Sequence, residues 1–210
     1  MRRPAGLLHS RMPGVRLITE SSDALLERLR RRDEPTLAEI VRMHARPLYR
    51  AARGMGFRDH EAEDLAQDVL TTFFDTLDRF EGRSQIKTWL FGILHHKAQE
   101  RRRALGREAL NEAIDDTFDS RFDKEGSWSQ PPKDLDRLVA SREMGEAIRG
   151  CLEGLPDSQR DVFVLREMED LDTQEICKIL GRTVTHIGVL FHRARAGLRQ
   201  CLEAQGWKRP

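Results

Sequence analysis

Residues 61–103 read EAEDLAQDVLTTFFDTLDRFEGRSQIKTWLFGILHHKAQERRR. Leu65, Val69, Leu70, Phe73, Phe74 and Leu77 recur at helical spacing and cover one broad apolar arc. Asp64, Gln67, Asp68, Asp75 and Asp78 gather on the other side. Solubility alone favours mixed signs, whereas a one-sided acidic stripe suits a basic partner and speeds encounter with it. A turn at Gly82–Ser84 follows, then a second helix from about Gln85 to Arg103. Ile86, Trp89, Leu90 and Ile93 share a face, so Trp89 is expected to be mostly core. Around that face stand Phe80, Arg83, Ser84, Lys87, Thr88, His95, His96, Lys97, Gln99, Arg101, Arg102 and Arg103, with Phe91 nearby. Cations for phosphates, amides and imidazoles for base edges, and rings for stacking make a platform for unpaired nucleic acid. The plainer alternatives are a solvated acidic face and a core tryptophan beside a basic helix end.

Working outward, helical periodicity dominates and no segment alternates as a strand, so the fold class is all-α. Residues 22–56 read as one or two helices, closed by Gly54 and Gly56. Asp59 is placed to cap the helix that carries Asp64. The stretch 104–136 holds nine Asp or Glu against four Lys or Arg, with Pro131 and Pro132, as a solvated acidic tether would. The chain therefore divides into a flexible basic arm (1–20), a helical domain (21–103), a flexible acidic linker (104–137) and a smaller helical domain (138–206). In that last domain Leu155-Pro156-Asp157 separates two helices. Asp172 with Glu175 makes a capping-box start, Gly181 stops the helix, and Thr183 caps the final one.

A short helix, a glycine turn and a longer helix are what a reader of the major groove needs. On the last helix, Val184, Ile187, Leu190, Phe191, Ala194, Leu198 and Leu202 fall on the core face. Thr185, His186, Gly188, Val189, His192 and Arg193 fall opposite and are expected to meet duplex DNA. Arg193 can donate to a guanine edge and Val189 can touch a thymine methyl. Arg182, Thr183, Arg195 and Arg199 lie nearer the backbone phosphates.

Composition limits the alternatives. In 210 residues, charged side chains make up 34% and aromatics 6%, with a formal net charge of +1, so nucleic-acid binding must come from local patches. The basic N-terminus lacks the apolar core of a signal peptide, and no apolar run is long enough to span a membrane. Three cysteines without close pairing argue against a disulfide framework and fit a reducing cytoplasm. Cys151 and Cys201 read as small core residues, and Cys177 lies near the edge of its apolar stripe. His96 and Glu100 offer only two ligands, so no metal or other cofactor is expected. No nucleophile–base constellation or phosphate-cradling loop appears, so an enzyme is not expected. A duplex-binding regulator would leave FEGRSQIKTWL idle, and a pure protein adaptor would leave the helix-turn-helix idle.

The segments together resemble the sigma-70 family, in its small extracytoplasmic-function form. Region 2 of that family is matched by Asp59, Glu63, Asp64, Leu65, Gln67, Val69, Phe80, Gly82, Ser84, Thr88, Trp89, Leu90 and Ile93. Region 4 is matched by Leu155, Pro156, Gln159, Arg160, Val162, Phe163, Leu165, Arg166 and Glu167, by Glu175, Ile176, Leu180 and Gly181, and by His192, Arg193, Ala194, Arg195, Leu198 and Arg199. The resemblance implies binding to core RNA polymerase through the β′ clamp and β flap, with Asp64, Gln67, Asp68, Asp75 and Asp78 as the core-binding stripe. It implies that residues 80–103 capture a melted −10 element and that the helix-turn-helix reads a −35 duplex. It also implies an anti-sigma factor, which in this family is often zinc-binding or membrane-anchored. Two departures stand out. His96 replaces a frequent Asn near the base-capturing pocket, and Gly188-Val189-Leu190 replace a frequent basic-Ser-Arg run.

Overall fold

The computed structural model describes residues 22–106 and 142–207, so the expected basic arm and most of the expected linker lie outside the described residues. Among the described residues there are eight α-helices and no strand. Helices α1 (Ser22–Arg30), α2 (Glu34–Gly54), α3 (Asp59–Asp75) and α4 (Ile86–Ala104) form the N-terminal unit, with a 3₁₀ turn at Leu77–Arg79. Helices α5 (Arg142–Glu153), α6 (Asp157–Phe163), α7 (Thr173–Leu180) and α8 (Val184–Ala204) form the C-terminal unit. A π-helical turn, Val164–Met168, extends α6.

Local chemistry sets these boundaries. Asp33 caps α2 by accepting from the Thr36 amide at 3.1 Å, and Pro35 occupies the first turn, where its missing N–H costs nothing. The cap of α3 is Arg58 rather than Asp59: the Glu61 carboxylate accepts the Arg58 amide at 2.8 Å. The Asp172–Glu175 capping box forms in both directions, at 2.8 and 3.0 Å. Gly181 then takes a left-handed conformation (φ 63°), which glycine adopts without a Cβ clash, and ends α7. Thr183 caps α8 by accepting from the His186 amide at 3.3 Å.

The two units pack face to face. The larger apolar core runs from Leu29, Ile40, Leu65, Phe73, Phe91 and Ala98 into Val162, Val164, Leu165, Ile176 and Leu190 of the C-terminal unit. A smaller core lies between α5, α6 and α8, around Met144, Leu152, Phe163, Ala194, Leu198 and Leu202. Gly54 ends α2 and also admits the π turn, because a Cβ there would stand 2.8 Å from Val164 Cγ2. The π turn swings Glu169 inward, where it is 3% exposed.

Candidate functional site

The acidic stripe is presented as the wheel predicts. Asp64, Gln67, Asp68, Asp75 and Asp78 are all exposed, while Leu65, Val69, Phe73 and Leu77 are buried beneath them. Arg101 reaches the stripe: its Nη2 donates to Asp68 at 3.1 Å, and its Nη1 donates to the Glu61 carbonyl at 2.9 Å. Arg101 thus bridges α4 to α3.

The basic–aromatic set on and before α4 divides between surface and interior. Arg83, His96 and Arg103 are exposed, and Ser84, Lys97 and Gln99 are half-buried. Arg83 pairs with Glu81 at 2.9 Å. Phe80 is buried and meets the half-buried Trp89 edge-on, with ring centres 5.4 Å apart. These rings pack on each other and support the loop. The remaining members face the C-terminal unit. Lys87 Nζ donates to the Glu169 carbonyl, and Thr88 Oγ1 donates to Glu175 at 2.6 Å. Across the same seam Arg50 Nε donates to Glu169 at 2.9 Å. A cleft of about 780 Å³ opens between residues 82–88, the loop and first turn of α4, and α7, with His44 on its wall. Burial, reinforced by the Lys87 charge, holds His44 down at about 4, so its imidazole is neutral near pH 7.

Arg102 is the deepest of these contacts. Its guanidinium grips Asp161 of α6 with two bonds, Nη1 to Oδ2 at 2.8 Å and Nη2 to Oδ1 at 2.7 Å. Nη2 also donates to the Met55 carbonyl at 3.0 Å, and the planar group lies over the Phe57 ring at 5.6 Å. His95 Nδ1 stands 3.4 Å from Asp161 Oδ2, and His95 Nε2 is 2.9 Å from Gln99. Burial pushes the Asp161 carboxyl up, but the Arg102 charge and its bonds outweigh this and hold it well below the usual carboxylate range. The arginine burst at the end of α4 therefore has three fates: Arg101 to the acidic stripe, Arg102 to the interior, Arg103 to solvent. Periodicity missed Asp161, Glu169 and Arg50. For Asp161 a signal was present: a lone carboxylate ahead of the apolar run Val162-Phe163-Val164-Leu165 must find a cation if that run is buried.

In the helix-turn-helix, Arg182 and Thr183 are exposed, and Thr185, His186, His192, Arg193, Arg195 and Arg199 are half-buried. Burial lowers the His186 pKa, and the charges of Arg182 and Arg193 lower it further. The Arg195 guanidinium lies 5.6 Å from the Phe191 ring centre. One expectation about this helix is corrected. Gly188 and Val189 were placed on the outward face, but both are buried, with Val189 at 0% exposure. The reason is that α8 packs against α5, α6 and α7, so its enclosed arc is wider than one wheel face.

The cysteine reading is also corrected. Cys151 and Cys201 are joined in a disulfide, with Cα atoms 5.7 Å apart, and Cys177 is free. Cys151 lies in the smaller core with Cys201 packed against it, and Cys177 is partly buried against the larger core. Sequence gave no sign of the bond because the partners are 50 residues apart on helices whose packing only the fold reveals. Among the described residues no three potential ligands gather around a metal position. No described helix is long and apolar enough to cross a membrane.

The family model for Sigma-70 region 2 matches residues 40–108, and that for Sigma-70, region 4 matches residues 145–198. A probable RNA polymerase sigma factor of Haemophilus influenzae is 34% identical over 148 residues, covering 67% of this chain and 76% of that protein. The ECF RNA polymerase sigma factor SigW of Bacillus subtilis is 28% identical over 188 residues, covering 84% of this chain and 94% of SigW. The structure of the sigma factor RpoE in complex with the anti-sigma factor NepR from Bartonella quintana matches with a TM-score of 0.59 at 25% identity, covering 79% of this chain and 96% of RpoE. That of CnrH with the cytosolic domain of CnrY shares the fold, with a TM-score of 0.63 at 22% identity over 88% of this chain and 99% of that one. With both sigma regions in order along one sequence, and relatives aligned across both, the chain belongs to the sigma-70 family of RNA polymerase sigma factors, in its extracytoplasmic-function branch.

Proposed function

We propose that this sigma factor binds core RNA polymerase through the α3 stripe and directs it to promoters. Residues 21–103 would act as the core- and −10-binding unit and residues 138–206 as the −35-binding unit. Asp64, Gln67, Asp68, Asp75 and Asp78 meet the β′ clamp, and the C-terminal unit meets the β flap. Arg83, Ser84, His96, Lys97 and Arg103 line the path of the melted −10 strand, Lys87, Thr88 and Arg102 join them when the units part, and His95 and Gln99 stand behind. Arg182, Thr185, His186, His192, Arg193, Arg195 and Arg199 face the −35 duplex. The observation that carries this reading is the exposed, one-sided acidic stripe on the same unit as the basic–aromatic helix. The protein acts in the cytoplasm as a binding factor, without catalytic chemistry of its own.

Lys87, Thr88 and Arg102 are engaged by the C-terminal unit, so capture of the −10 strand requires the two units to part. RpoE is described in complex with the anti-sigma factor NepR, and CnrH in complex with the cytosolic domain of CnrY. By analogy, an anti-sigma factor, zinc-binding or membrane-anchored, governs that parting here. Run-off transcription with core polymerase tests the function. The wild-type chain is expected to support promoter-specific initiation. Asp64→Arg with Asp68→Arg is expected to abolish core binding while leaving the circular dichroism spectrum unchanged. Unaltered core binding by that variant would overturn the role of the stripe.

A further inference from the structure

We infer that the Cys151–Cys201 bond is a reversible thiol–disulfide site that fastens α5 to α8. Three features of its setting carry this. First, the bond has an accessible end and a protected end: Cys201 is half-buried, whereas Cys151 is 1% exposed. An external thiolate therefore reaches Cys201 Sγ, and Cys151 Sγ is the leaving group. Second, the Gln205 side-chain amide donates to both sulfurs, at 3.4 Å to Cys151 and 3.6 Å to Cys201. That donor is in place to stabilise the thiolate that departs. Third, the described packing of α5 is chiefly on α8, through Met144, Ile148 and Leu152.

The chemistry balances with a low-molecular-weight thiol of the glutathione class. Its thiolate attacks Cys201 Sγ, the bond to Cys151 breaks, and the electron pair leaves on Cys151. A second thiolate attacks the mixed disulfide and releases Cys201. Two reductant thiols become one disulfide, and their two protons end on Cys151 and Cys201. Oxidised glutathione drives the reverse. The consequence lies at the seam between the units. Ile148, Arg149 and Leu152 form one wall of a cleft of about 820 Å³ whose other wall is Tyr49, Arg50 and Arg53 of α2. A loosened α5 leaves that wall of the cleft unfixed.

The full chain, equilibrated in graded ratios of reduced to oxidised glutathione, tests this by alkylation with mass counting and by hydrogen exchange. One two-electron transition is expected at Cys151 and Cys201, with Cys177 alkylated throughout. On reduction, amide exchange in residues 142–153 should rise about tenfold while that of α3 stays constant. Cys151→Ser in oxidising buffer should show the same fast exchange. Gln205→Ala should slow reduction by roughly threefold to tenfold, a kinetic change that a purely structural amide would not produce. The inference is overturned if no bond forms in oxidised glutathione, if Cys177 pairs instead, or if exchange in 142–153 is the same in both states.

Discussion

Asp161→Asn should open the protein without unfolding it. The carboxylate accepts two charge-assisted bonds from Arg102, at 2.8 and 2.7 Å, and the two side chains are 3% and 7% exposed. Asparagine keeps one acceptor and removes the charge. The Arg102 guanidinium is then left with the Met55 carbonyl and Asp157, whose Oδ2 is 3.4 Å from Nε. Removing one partner of a buried pair typically costs ~3–5 kcal/mol, because the other charge stays buried and uncompensated. Arg102 has an escape, however: if the units part, water reaches it. The cost therefore falls on the closed arrangement rather than on either helical unit. A penalty of about 3 kcal/mol moves the closed–open equilibrium by roughly 100-fold toward open. Small-angle scattering of the full chain should report a larger radius, and hydrogen exchange should rise in α6 and the second half of α4 but not in α3. Arg102→Met with Asp161→Leu removes both charges and should restore closure. An Asp161→Asn chain with wild-type scattering and exchange would refute the claim that this pair latches the units.

Three further outcomes follow from single positions. Gly54→Val should also favour the open form, since any Cβ meets Val164 Cγ2 at 2.8 Å, and scattering at unchanged helix content would show it. His44 is held at about 4 in the fold against an ordinary value near 6.5. The unfolded chain thus binds the extra proton first, and stability falls as pH drops from about 6.5 toward 4. The loss at pH 5 should be about 2 kcal/mol in urea titrations, and absent in His44→Gln. Val189→Ala should cost roughly 2 kcal/mol because the side chain is enclosed. A groove-facing valine would change stability by no more than ~0.5 kcal/mol, and that result would reinstate its outward placement.

What the sequence made legible was local. The α7 capping box, the Gly181 stop and the Thr183 cap depend on residues within a few positions of one another, and each formed as read. The acidic stripe depends on α3 and the 3₁₀ turn that follows it, and it stayed on the surface. What escaped were pairings across the chain. Arg102 reads as part of the nucleic-acid platform, yet its partner lies 59 residues away, beyond the linker. Cys151 and Cys201 meet only because α5 lies along the end of α8. Val189 failed for a related reason. A wheel assigns one buried face, and three neighbouring helices enclose more than one. Asp59 failed by a single residue, because the cap bond comes from the Glu61 side chain back to the Arg58 amide.

The closed arrangement has a consequence for DNA binding that follows from which groups it uses. Each region 2 donor proposed to meet the −10 strand, and engaged across the seam, is met there by an oxygen acceptor: Lys87 by a carbonyl, Thr88 by Glu175, Arg102 by Asp161. A phosphate or a base edge would need those same donors, so closure and strand capture compete. The competitors differ in their response to salt. A buried carboxylate–guanidinium pair is screened little, whereas phosphate contacts weaken steeply as ionic strength rises because counterions are no longer released so favourably. Raising salt should therefore favour closure over DNA even though both are electrostatic. It also separates the two contributions in one experiment. If Asp161 acts only by holding the units shut, Asp161→Asn should shift single-strand affinity upward by the same factor at every salt concentration, leaving the slope of log affinity against log salt unchanged. A changed slope would mean that the substitution altered the number of phosphates contacted, and Asp161 would then belong to the DNA surface rather than to the latch.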